Sequence, residues 1–298
     1  MTIHPLLRPI VHAKPPRRRR KKSPVIDYTD QFFRFIDPAL APGSQRVVRR
    51  AMWSLRRGLA GKEPTSENVL TWLRRRVAVD RIAPATLSVE RIYANKFFEW
   101  CISMGYMDKN PLTPIPRVPV PLTNKPIITE EQFAALLKAA EGTIMWPLLK
   151  VAWYTGARLV DICNLHWSSL DLDNRIIKFT PQKTVKSGRQ VELRIPQELV
   201  DLFTAQETTE FVFPDALEMH MRDNGSLQRL FRYIANKAGL PKAVTFHCLR
   251  HTRASRMLNG EHKVDPLVAA DVLGLSSLAT LRRYTKISLD EKERATNL

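Results

Sequence analysis

The sequence predicts a mainly helical protein with one small antiparallel β-sheet, a helical bundle followed by an α+β domain. Three observations lead there. Apolar residues recur at three- and four-residue intervals from Tyr28 to Gly105 and again beyond residue 127. One stretch after Trp167 changes to alternation: Ile177 and Phe179 precede, and Val191, Leu193 and Ile195 follow, the polar run Gln182 to Arg189. Between the two helical regions, prolines at 111, 114, 116, 119, 121 and 126 leave no room for a helix or a central strand. The expected division is a basic arm over 1–22, a helical domain over 23–112, a proline-rich linker over 113–126 and a second domain over 127–298.

The arm holds Lys14 and the run Arg17, Arg18, Arg19, Arg20, Lys21 and Lys22, with almost no apolar period. Such a block suits a segment that orders on a polyanion, with a solubilising tail as the lesser alternative. In the bundle, Tyr28, Phe32 and Ile36 step by four, Val48, Met52, Leu55 and Leu59 continue the stripe, and Val69, Leu73 and Val77 repeat it. Val89, Tyr93, Phe97, Trp100 and Met104 make a fourth helix. Arg46, Arg49, Arg50, Arg56 and Arg57, then Arg74, Arg75 and Arg76, fall between the apolar positions and are expected on a cationic exterior. Aromatic residues on these stripes belong to a core.

The second domain opens with Thr129 and Gln132 at capping-box spacing, ahead of Phe133, Leu136, Leu137 and Ala140. A helix through Trp146, Leu149 and Trp153 should stop at Gly156, where glycine takes the left-handed cap. Arg158 begins the next short helix, and Asp161, three residues on, can hold its guanidinium; an ordinary helix terminus would look the same. Asp173-Asn174 is a turn, and the later hairpin has a basic tip in which Lys183 and Lys186 could reach a phosphate or simply stay solvated. Helices resume with Leu227, Leu230, Phe231, Ile234 and Ala238, and Asp265-Pro266 reads as an N-cap and first helical residue.

Charge narrows the partner. Net charge is +18, and residues 1–125 carry 24 Lys and Arg against 9 Asp and Glu. RNA, DNA and anionic lipid all answer to that balance. Hydrophobic residues make up 44%, and no uninterrupted apolar run approaches the roughly 20 residues that span a membrane, so a soluble chain is expected. Cys101, Cys163 and Cys248 lack C-x-x-C spacing and no signal-peptide pattern opens the chain, which suggests a reducing cytoplasm and no structural zinc.

His247, Arg250 and His251 share one helical face and could converge on one anion, although a solvated basic face has the same spacing. Arginine offers a fork for two phosphate oxygens and histidine exchanges a proton near neutral pH. No clustered carboxylates suggest a two-metal site. Tyr284, three residues after Leu281, has the spacing of a packed core tyrosine.

Together these residues resemble the tyrosine recombinase, or phage integrase, family over about nine-tenths of the chain. The motifs are Thr155-Gly156-Ala157-Arg158 with Asp161, the hairpin Lys183-Thr-Val-Lys186-Ser, Phe246-His247-Cys-Leu-Arg250-His251-Thr, and Leu273-Gly274-Leu275-Ser276-Ser277 ahead of Tyr284-Thr285. The resemblance implies a helical core-binding domain joined to a catalytic domain. It makes Arg158 and Arg250 phosphate clamps, His247 the proton-transfer residue, Lys183 the general acid and Tyr284 the nucleophile, with Asp161 and His251 in support. Arg17 to Arg20, Arg49, Arg50 and Lys186 would bind the duplex. Leu275 departs from the pattern, which places a His or Trp donor there.

The activity implied is site-specific cleavage and rejoining of DNA through a 3′-phosphotyrosyl link, with no metal, cofactor or ATP, in integration, excision or resolution of a mobile element. The partner is double-stranded DNA with inverted half-sites, bound by a dimer and joined in a tetrameric synapse, with room for accessory DNA-bending proteins. A nucleoid-associated cytoplasmic protein is expected. The missing donor at Leu275 keeps open a catalytically weakened DNA-binding relative with an architectural or regulatory role, and a type IB topoisomerase-like enzyme shares the tyrosine chemistry.

Overall fold

Among the described residues the chain opens with four helices: α1 (Thr29–Ile36), α2 (Pro42–Gly58), α3 (Ser66–Ala78) and α4 (Pro84–Ser103). The coordinates are a computed structural model that describes residues 28–36, 38, 40, 42–121, 125–182, 185, 188–205, 210–223, 225–260, 263–275, 277 and 281. The chain divides into two compact units, Met1–Leu122 and Thr123–Leu298.

In the first unit Phe32, Ile36, Val48, Met52, Leu55, Leu59, Val69, Leu73 and Phe97 meet in one core, which Leu112 and Ile115 complete from the chain after α4. Phe97 packs edge-on to Phe32 with ring centroids 5.6 Å apart. Thr65 caps α3, its Oγ1 accepting from the Asn68 N–H at 3.2 Å. Pro84 starts α4 at a position where no helical N–H is needed.

Two expectations fail here. Val77 is 52% exposed and Val89 also faces out. The inner faces of α3 and α4 are instead completed by Trp72 and by Leu87, Ala94 and Phe98. Spacing defines a stripe, but the neighbouring helices decide which edge of it is covered. Arg76, expected outside with Arg74 and Arg75, is mostly buried. Its Nε donates to Glu90 Oε2 at 2.8 Å and its Nη1 to Asp80 Oδ2 at 2.7 Å. Ser54 Oγ also donates to Glu90, at 3.0 Å, and Trp72 Nε1 donates to Ser54 at 3.3 Å. A carboxylate this deep requires such partners, because an unpaired buried charge is strongly unfavourable.

The second unit begins with α5 (Glu130–Ala140), whose Thr129 and Gln132 form the full capping box, and α6 (Met145–Thr155), which ends on Gly156 at φ 68. After α7 (Leu159–Cys163) come strands β1 (Leu170–Asp171), β2 (Ile176–Phe179) and β3 (Val191–Arg194), antiparallel in the order β1-β2-β3. Ile177 pairs with Leu193 and Phe179 with Val191. Helices α8 (Gln197–Thr204), α9 (Pro214–Arg222), α10 (Ser226–Lys237), α11 (His247–Asn259) and α12 (Pro266–Val272) follow.

The sequence reading passed over α8 and α9. Each is only two or three turns long, too short for a period to stand out, yet Leu199, Leu202 and Phe203 of α8 are buried. The main core of this unit gathers α5, α6, α8 and α10, and a smaller one joins Ala254, Met257 and Leu258 to Ala269, Ala270, Leu273, Leu275 and Leu281. Among the described residues no helix is long and apolar enough to cross a membrane.

Candidate active site

Arg250 anchors the site from within the second compact stretch of the chain. At 3% exposure it lies on α11, where Nη1 donates to the Gly156 carbonyl at 2.8 Å and Nη2 donates to the Leu273 carbonyl. One guanidinium therefore joins the turn before Arg158 to the turn before Leu275. That turn requires glycine: a Cβ on Gly156 would stand 2.8 Å from Leu273 Cδ2, and its φ is left-handed.

Arg158 caps α7 and turns its side chain toward Asp161. Its Nη1 lies 3.6 Å from Asp161 Oδ2, an ion pair without a hydrogen bond, and that buried nitrogen has no hydrogen-bond partner among the described residues. The other carboxylate oxygen, Asp161 Oδ1, accepts the Gln182 main-chain N–H at 2.9 Å. The base of the hairpin is thus tied to the helix that carries Arg158.

A second tie closes the hairpin on the other side. Arg189, from the chain entering β3, donates to the Leu275 carbonyl and, at 2.9 Å, to Asp271 Oδ1. Gly274 permits the approach, since a Cβ there would meet Pro181 and Val191 at 2.8 Å. Sequence reasoning missed Arg189 and Gln182 as site-building residues. Arg189 lay in view within the basic tip, but a bond to a backbone carbonyl leaves no pattern.

Leu275 packs into the small core at 5% exposure, with its N–H bonded to the Ala270 carbonyl at 2.8 Å. It contributes an apolar side chain and a backbone acceptor.

His247 opens α11 and is exposed at the surface. Its imidazole is nonetheless pushed down to about 4, first by the protein atoms crowding it and then by Lys125, Arg250, Arg158 and His251. Its exposure tempers the first cause, but the surrounding cations act in the same direction. The ring is neutral at pH 7. His251, one turn on, is buried, and burial lowers its proton affinity too.

Lys183, Lys186 and Tyr284 lie outside the described residues, as do Arg17, Arg18, Arg19 and Arg20. Arg49 and Arg50 are exposed on α2, where the Arg49 guanidinium stands 4.4 Å over the Phe33 ring. Among the described residues no three His, Cys, Asp or Glu side chains are grouped to hold a metal ion. What the site offers is two guanidiniums held by backbone and carboxylate contacts beside a neutral imidazole. Guanidiniums of this kind are suited to anionic oxygens.

The phage integrase family model matches residues 126–291, more than half of the sequence, and the chain belongs to that family. A tyrosine recombinase XerC of Bifidobacterium longum (strain DJO10A) is 31% identical over 157 residues, 48% of this chain and 43% of the relative. The chain thus spans less than half the length of that curated relative. Among solved structures, a lambda integrase dimer bound to a COC′ core site superimposes with a TM-score of 0.72 at 17% identity, over 90% of this chain and 77% of the integrase. A lambda integrase tetramer bound to a Holliday junction does so at 0.75 and 16%, over 89% and 78%. These likenesses establish the fold.

Proposed function

We propose that this protein is a site-specific DNA recombinase that cuts and rejoins strands through a 3′-phosphotyrosyl intermediate on Tyr284. The observation that carries this reading is the Arg250 anchor, which locks the Gly156-Ala157-Arg158 turn to α11 and brings two guanidiniums to one imidazole. Arg158 and Arg250 neutralise the non-bridging oxygens as charge builds in the transition state. Tyr284 attacks the phosphorus and its phenolic proton leaves to His247, whose neutral ring can accept it. Lys183 protonates the departing 5′ oxygen. The freed 5′-hydroxyl of a partner strand then attacks the phosphotyrosine, so no ATP is consumed.

Residues 1–22 and the exposed arginines of α2 hold the duplex through its phosphates, and residues 23–112 form the core-binding domain. Inverted half-sites are bound by a dimer and joined by four protomers; the dimeric and tetrameric lambda integrase complexes support this arrangement. DNA-bending proteins can assist, and the nucleoid is where such a chain would work.

The test uses half-sites selected from a randomised duplex pool by binding to the protein, rebuilt as a nicked suicide duplex. A covalent, SDS-resistant adduct should form in EDTA, and Tyr284→Phe should abolish it while DNA binding persists. A protein that binds the duplex and forms no adduct is a binding relative and not a recombinase.

A further inference from the structure

The outward face of α2 sets one tryptophan among arginines. Arg46, Arg49, Arg50, Trp53, Arg56 and Arg57 are all exposed, while Val48, Ala51, Met52 and Leu55 fill the core beneath. Trp53 is 59% exposed, although an indole buries roughly 150–250 Å² when covered. An apolar side chain standing alone on a surface has no meaning of its own; here the neighbours supply one. At about 100° of turn per residue, Trp53 lies on the midline of the face, with Arg49 and Arg56 roughly 40–60° to one side and Arg50 and Arg57 roughly the same to the other.

These arginines are available to a ligand. Arg57 stands 5.2 Å from the Trp53 ring, Arg49 lies over Phe33, and the Arg56–Asp30 ion pair is exposed at both ends, a contact that a phosphate can replace. Arg46 and Arg50 form no ion pair or hydrogen bond with another described residue. A ligand that satisfies the whole face carries two rows of negative charge with an apolar group between them. A bilayer would call for a broader apolar face than one ring. The major groove of DNA fits: it admits an α-helix, a phosphate backbone runs along either wall, and the thymine C5-methyl is the apolar group on its floor.

We propose that α2 enters the major groove with Trp53 at the floor, the indole packing on a thymine methyl while Arg49 with Arg56 and Arg50 with Arg57 reach the phosphates of the two strands. Trp53 is then a specificity-determining residue, and the recognition half-site carries a thymine opposite it. The inference rests on the reading that this chain acts on double-stranded DNA, and is independent of the cleavage step.

The test measures binding of the full chain to the selected half-site, and to the same duplex with each thymine in turn replaced by deoxyuridine, which pairs identically and lacks the methyl. At one position, or two adjacent ones, the replacement should lower affinity roughly fourfold, the worth of about one buried methylene-sized group. Trp53→Ala should weaken the half-site by at least that factor and be indifferent to deoxyuridine there. On an unrelated duplex it should change little, because the arginines that supply the sequence-independent attraction remain. Affinity unmoved by every deoxyuridine overturns the inference, and this arm uses the unsubstituted chain, so it does not depend on how the variant folds. An equal loss by Trp53→Ala on both duplexes overturns it too, as does a deoxyuridine penalty that survives in the variant. So does a change in the oligomeric state of DNA-free Trp53→Ala by sedimentation, which would make this face a contact between copies of the chain. If the unsubstituted chain binds no duplex, the DNA reading falls and this inference with it. Selective binding to which Trp53 is indifferent removes this inference alone.

Discussion

Asp161 accepts the Gln182 main-chain N–H at 2.9 Å with one carboxylate oxygen and faces Arg158 at 3.6 Å with the other. A single buried side chain thus places a guanidinium and the residue immediately before Lys183 in one frame. Asp161→Ala should take the acceptor from the Gln182 N–H and lower stability by about 1–3 kcal/mol. Asp161→Asn keeps an acceptor at the same place and should retain most of the stability, while both variants cleave more slowly because Arg158 loses its counter-charge. Urea unfolding and suicide-duplex kinetics check this; an alanine variant as stable as the parent would remove the tie.

The two arginines should respond differently to the same substitution. Arg250 spends two donors on the Gly156 and Leu273 carbonyls, and lysine cannot reproduce that fork. Arg250→Lys should therefore lower both stability, by about 1.5–3 kcal/mol, and cleavage. Arg158 has an ion pair and no such anchoring, so Arg158→Lys should cost under about 1 kcal/mol while cleavage falls roughly 10²- to 10³-fold. Equal melting temperatures for the two variants would contradict the anchoring role of Arg250.

The protonation of His247 sets a pH window. Its folded-state value lies below the ordinary 6.5, so the folded protein binds fewer protons than the unfolded chain between those limits. The stability linked to this group is fully present above pH 6.5 and is lost as pH falls through about 4. An NMR titration of the His247 ring in the free protein should give a midpoint well below 6.5, and bound DNA should raise it, because a phosphate favours the imidazolium. A midpoint at or above 6.5 without DNA would mean that the surrounding cations do not reach the ring.

Leu275 fills space between Leu273, Ala270 and Leu281. Leu275→Ala should open a cavity costing about 2–5 kcal/mol. Resemblance to the family leads us to expect faster adduct formation from Leu275→His, but the imidazole would enter an apolar cluster, so the variant should also be less stable. Cleavage measured on the folded fraction separates the two effects, and an unaccelerated, fully folded variant would mean that a donor at this position adds nothing.

The elements and chemical types of this protein were legible in its residues. The capping box at Thr129, the left-handed stop at Gly156 and the Asp265-Pro266 start are local, and each follows from the few residues around it. The family followed from the order of its motifs. Short helices without a clear period, α8 and α9, escaped notice, and so did the inward turn of Arg76 toward Glu90.

Tertiary structure alone decided what each cation does. Arg76 and Arg250 are both arginines between apolar residues, yet one neutralises a buried carboxylate in the bundle and the other braces two backbone carbonyls at the site. Arg189 reaches Leu275, Asp161 reaches Gln182 and Ile128 reaches Thr252, all across long stretches of chain. Periodicity reports only how a residue stands relative to its own helix or strand. Which acceptor lies opposite depends on how separate elements pack, and a backbone carbonyl is the same on every residue, so no pattern of side chains announces it.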